Sequence, residues 1–183
     1  MEKYLYLGVL LFAISYPLAQ SFERRIRYAT QWKYLFPGML GTAAFFIVWD
    51  IWFTNLGVWE FNSRYVLGWF FLDLPIEEWL FFFIVPFSSV FIYEVLIYFF
   101  PKDHFLPFGK YFVWILAPFL LAMSILHLDK WYTSVNFLVG ALTLAIHYLI
   151  FKEKYLGRFI FAYLVHLIPL MLCNGVLTGG LTE

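Results

Sequence analysis

Six apolar runs, at roughly residues 4–20, 35–54, 74–100, 111–128, 132–151 and 159–178, constrain this chain more than any other feature. An α-helix rises about 1.5 Å per residue, so about twenty apolar residues cross the ~30 Å of hydrocarbon in a bilayer. Backbone N–H and C=O groups find no water there and must be satisfied within the segment, which a helix does. The 183 residues are 63% hydrophobic and 13% charged, too few charges to clothe a soluble surface. The expectation is an all-α integral membrane protein: one domain over residues 1–183, a bundle of about six transmembrane helices, multi-pass in the cell membrane. The first run is read as a retained helix, because only Lys3 precedes it while Arg24, Arg25, Arg27 and Lys33 follow. Pro86, Pro118 and Pro169 fall inside the third, fourth and sixth runs, where kinks are tolerated when neighbours satisfy the freed carbonyls.

Orientation follows from the cations. The loops after the first, third and fifth runs carry Arg24, Arg25, Arg27, Lys33, Lys102, Lys110, Lys152, Lys154 and Arg158, whereas Lys3, Arg64 and Lys130 fall on the other side. Positive charge gathers in the cytoplasm, so the N-terminus is expected outside. Asp50, Glu77, Glu78, His127, Asn136 and Asn174 are then expected toward the outer leaflet. Net charge is zero, which leaves no basic face for nucleic acid. The single cysteine, Cys173, excludes an intrachain disulfide and reads as inert packing.

The third run opens with Leu74-Pro75-Ile76-Glu77-Glu78-Trp79-Leu80-Phe81-Phe82-Phe83. Two adjacent carboxyls at the edge of hydrocarbon are costly and mark a candidate site. The plainer alternative is a well-made helix start, with Pro75 in its first turn and the two acids complementing the macrodipole. No Gly-rich dinucleotide fingerprint or phosphate loop is present, and no His/Cys/carboxylate set has metal spacing, so neither cofactor nor metal is expected. His147 and His166 are expected to satisfy buried hydrogen bonds, and every lysine lies in a loop or at a helix end. What remains is carboxyls beside aromatic rings. An acid in an apolar setting can hold its proton near neutral pH and act as a general acid. The aromatic faces of Trp49, Trp52, Trp79, Phe81 and Phe82 can stabilise a cation formed from a hydrocarbon. That is equipment for acid-initiated cyclisation or isomerisation of a lipid-soluble polyene.

Pro75-Ile76-Glu77-Glu78 with the Phe81-Phe82-Phe83 run, then Pro86 and Tyr93-Glu94, resembles the lycopene cyclase domain, as does Trp49-Asp50 with Trp59 and Asn62. This is the small membrane type found as heterodimeric bacterial subunits, as fused chains and in fungal bifunctional enzymes. The close likeness covers about residues 30–100. It implies closure of lycopene ψ-ends into β-rings without net redox change. It also implies Glu77 and Glu78 as the catalytic pair, with Asp50 tuning the pair or sharing its proton. Trp49, Trp52, Trp79, Phe81, Phe82, Asn174 and His127 are the candidate substrate contacts, and Glu94 an interhelical contact. The implied partners are lycopene or a related polyene, the bilayer, and a second cyclase subunit or another copy of the chain.

A shift of 124 residues sets Leu170-Met171-Leu172-Cys173-Asn174 against Phe46-Ile47-Val48-Trp49-Asp50, and Gly179-Gly180-Leu181 against Asn55-Leu56-Gly57. This suggests an internal repeat, with residues 35–100 the first copy and 159–183 an incomplete second. Fused members carry a second acidic motif in a later helix, so the chain is expected to need a partner or a further segment for full activity. Two other functions remain open at this stage: a carotenoid-binding subunit without catalysis, and a small proton-coupled transporter using the same acids as a relay.

Overall fold

The computed structural model describes residues 2–177. Among them six α-helices carry the fold: α1 (Leu5–Gln20), α2 (Trp32–Asn55), α3 (Ile76–Phe99), α4 (Leu106–Leu126), α5 (Trp131–Phe151) and α6 (Leu156–Leu177). The fold class is therefore all-α, and the helices match the six apolar runs closely. Five of them, α2 to α6, are long and apolar enough to cross a membrane. The sixteen residues of α1 span about 24 Å, short of the ~30 Å core. Helix α1 has Pro17 and α2 has Pro37 in its interior, beside the three prolines expected in α3, α4 and α6. The Ser21 hydroxyl donates to the Pro17 carbonyl at 2.7 Å, closing one of the groups left at the end of α1.

The chain divides into two compact units. The first comprises residues 1–99 and 164–183, and so contains α1, α2, α3 and the later part of α6. Its tightest packing surrounds Tyr28, which is 0% exposed and donates its hydroxyl to the Phe87 carbonyl at 2.7 Å. Phe87 and Phe91 meet the Tyr28 ring edge-on at 5.1 and 5.4 Å, a favoured aromatic geometry. The basic segment between α1 and α2 is thus pinned to the middle of α3 by one aromatic anchor. A second apolar cluster, Ala43, Ile47 and Leu74 with Phe82 and Phe83 against it, packs α2 onto the start of α3.

Just before α3 the structure departs from the sequence reading. Phe70–Phe71 (β1) and Leu74–Pro75 (β2) form a small antiparallel hairpin, with Phe70 opposite Pro75 and Phe71 opposite Leu74. Pro75 is therefore a strand residue and not part of the first helical turn. The physical reason is local: proline disfavours the helical region for the residue before it, so Leu74 is extended and its segment pairs instead. Leu72 and Asp73, the two turn residues, have φ of +50° and +65°, the sign that tight two-residue hairpin turns require.

The second unit, residues 100–163, contains α4, α5 and the start of α6. Helices α4 and α5 are clamped by a reciprocal pair: Ser124 Oγ donates to the Ser134 carbonyl at 2.8 Å and Ser134 Oγ to the Ser124 carbonyl at 3.0 Å. His147 departs from expectation here: its Nδ1 is buried with no hydrogen-bond partner among the described residues, and the ring packs 5.3 Å from Phe151.

Candidate functional site

The acidic site is assembled by three pieces of chain. Helix α3 supplies Glu77 and Glu78 from its first turn, α2 supplies Asp50, and residues 56–75 fold over them. Glu77 is 0% exposed and Asp50 6% exposed. Glu77 Oε1 accepts the Leu67 backbone N–H at 2.7 Å. Gly68, at φ +84°, gives the covering segment the turn that a side-chain-bearing residue would resist. Glu77 Oε2 and Asp50 Oδ2 are buried and have no hydrogen-bond partner among the described residues. Burying such oxygens unpaired is expensive, and each is free to carry or accept a proton.

Glu78 is paired differently. The Tyr6 hydroxyl of α1 donates to Glu78 Oε2 across 72 residues of sequence. Tyr6 is also within electrostatic reach of Asp50 and Glu77, and Glu78 within reach of Asp50, so the three carboxyls and the phenol form one group. The covering segment is tied to α1 twice. Tyr6 N–H donates to the Tyr65 carbonyl at 3.3 Å, and the Arg64 guanidinium holds both oxygens of Glu2. Arg64 keeps the Glu2 carboxyl below its ordinary value of 4.5, chiefly by hydrogen bonding and then by its charge.

Aromatic residues divide between two sides of α3. On the α2 side, Phe46 stacks on Phe82 at 6.4 Å, and Phe53 is enclosed by Trp49, Trp52 and Trp59 at 5.0–5.6 Å. Trp59 donates to Thr54 Oγ1 at 3.0 Å and also lies close enough to the Asp50 carboxyl to interact with it. Trp52 is 45% exposed, and Trp79 donates to the Phe71 carbonyl at 3.1 Å, holding the hairpin. On the opposite side Phe81 and Asn174 line a cavity of about 420 Å³ between α1, α3 and α6. His166, in the same wall, has its ring nitrogens 3.3 and 3.4 Å from Ser89 Oγ. Glu94 is half-buried farther along α3. His127 belongs to the second unit, where it ends α4 and its N–H bonds to the Met123 carbonyl. Of the counterpart expected for Asn55-Leu56-Gly57, Gly179-Gly180-Leu181 lies outside the described residues.

The structure brings Asp50, Glu77 and Glu78 within reach of Tyr6, and it adds two groups that the sequence reading missed. Tyr6 carries no local signal, since its partner is far away in sequence. The Leu67 N–H is a backbone group and invisible to any residue-type argument.

A helical membrane protein with buried acids beside aromatic rings at one end of its first unit is the class that fold and site define. The family model for lycopene cyclase matches residues 3–96 and 129–183, and the chain belongs to that family. No curated protein and no solved structure gives a significant match. It is therefore a multi-pass membrane protein of the carotenoid-cyclising class, and the matched residues include Tyr6, Asp50, Glu77 and Glu78.

Proposed function

We propose that this chain closes the ψ-ends of lycopene into β-rings by acid catalysis. The observation that carries the reading is the group of three carboxyls, two almost wholly buried, gathered under one covering segment beside aromatic rings. A protonated carboxyl of the Glu77/Glu78 pair adds its proton to the terminal double bond of the polyene. The tertiary cation is attacked by the next double bond along the chain, which forms the ring carbon–carbon bond. An ionised neighbour then takes a proton from the ring carbon next to the new cation, leaving the β-ring double bond. One proton enters and one leaves, so the product is an isomer and no redox partner is consumed. Trp49, Phe81 and Phe82 are the rings this reading assigns to stabilise the cation. Asp50 shares the proton of the pair. Glu77→Gln and Glu78→Gln are each expected to lower cyclisation by roughly 100- to 10,000-fold, the usual worth of a general acid or base. Pigment analysis of lycopene-producing cells measures this. Full-rate cyclisation by both folded variants sinks the mechanism, and pigment held unchanged by the wild type would make the chain a binding subunit instead.

Two further elements belong to this reading. The N-terminus faces outward, which reporter fusions at either terminus test. In sequence, residues 159–183 are an incomplete second copy of residues 35–100. In support, moving back by 124 residues from Leu156, the first residue of α6, arrives at Trp32, the first residue of α2.

A further inference from the structure

The cavity between α1, α3 and α6 lies on the continuation of the acidic site. On α1, Tyr6 is followed by the lining residues Val9, Ala13 and Pro17, steps of three and four that keep one helix face. On α3, Glu78 is followed by Phe81, Val85, Ser88 and Ile92, again one face. The Tyr6–Glu78 hydrogen bond therefore joins the same two faces that form the cavity walls, one turn before the cavity begins. From Phe81 to Leu96 the α3 wall runs about 22 Å at 1.5 Å per residue, most of the thickness of a hydrocarbon core.

We propose that this groove is the seat of an extended polyene whose reacting end lies at the Tyr6–Glu78 pair, an inference that rests on the cyclase reading above. Among the described residues the lining carries no Asp, Glu, Lys or Arg, and its Ser88 hydroxyl is committed to the Ala13 carbonyl at 3.1 Å. Phe12, Tyr16, Phe81 and Phe91 present aromatic surface to whatever fills it. A groove that holds its occupant extended favours a rigid conjugated chain over a saturated one, because the saturated chain loses many rotamers on being held so.

The single cysteine of the chain, Cys173, lines the groove and is half-buried, which supplies a reporter independent of catalysis. Purified full-length protein in detergent is labelled with N-ethylmaleimide, with lycopene or squalane (a saturated chain) present. With lycopene at about ten times its Kd, free sites fall to roughly a tenth and labelling slows about tenfold. Squalane is expected to leave the rate unchanged. Ala13→Phe and Val165→Phe, on opposite walls, are each expected to remove the protection and raise KM. Either one suffices if the other fails to fold. Unprotected Cys173 in protein that cyclises lycopene overturns the groove while leaving the cyclase reading intact. Equal protection by squalane overturns it too, as a general acyl-chain slot. Protection without cyclisation supports the groove and sinks the catalytic reading instead.

Discussion

Tyr6→Phe is the most informative single change, because it deletes one oxygen and leaves the ring. The hydroxyl donates to a carboxylate oxygen of Glu78, and the backbone bond from Tyr6 to Tyr65 survives the substitution. A side-chain hydrogen bond of this kind contributes about 0.5–1.5 kcal/mol net. At about 2–4 °C per kcal/mol for a chain of this length, the variant is expected to melt roughly 1–6 °C lower. The effect on rate comes through geometry. With its donor gone the Glu78 carboxyl can move, and a displacement near 1 Å costs up to about 100-fold. Thermal melting in detergent and time-resolved pigment analysis measure the two effects separately. Combining Tyr6→Phe with Glu78→Gln isolates the pair, and contacting residues couple by about 0.5–3 kcal/mol. Wild-type melting, wild-type rate and no coupling together would refute the claim that α1 positions the acid.

Three further outcomes are expected. Gly157→Ala places a methyl group against the Asp103 carboxyl and the Leu106 backbone nitrogen, and destabilises the second unit by about 1–3 kcal/mol in a detergent melt. Ser134→Ala removes one half of the reciprocal α4–α5 pair and lowers stability by about 0.6 kcal/mol, within a ceiling near 1.7, as polar contacts between membrane helices do. Arg64→Gln lets the Glu2 carboxyl rise back toward 4.5, read by carbon NMR titration. Because the folded value is depressed, the contribution of this pair is present above 4.5 and fades as the pH falls through the lowered value. The pair is exposed, so added salt weakens it further.

The helices were legible in the sequence because hydrocarbon imposes a length and a composition on anything that crosses it. Each run from 4–20 to 159–178 became a helix with ends within a few residues of expectation. The acids were legible for the same reason, since Glu77 and Glu78 at the head of an apolar run stand out against their surroundings. Their chemistry was legible only as a list of residue types. Which groups touch them was decided by tertiary structure: Tyr6 lies 72 residues from Glu78, and the Leu67 N–H reaches Glu77 because Gly68 and the Leu72–Asp73 turn fold the covering segment back. The split of the aromatic residues was equally hidden. Phe81 and Phe82 are neighbours in sequence, yet one faces the groove and the other stacks on Phe46 of α2. Successive helical residues point about 100° apart, and only the packing of α1, α2 and α6 around α3 says what each direction meets. Hydrophobicity chose the helices because it is a property of each segment alone; the site depended on which segments became neighbours.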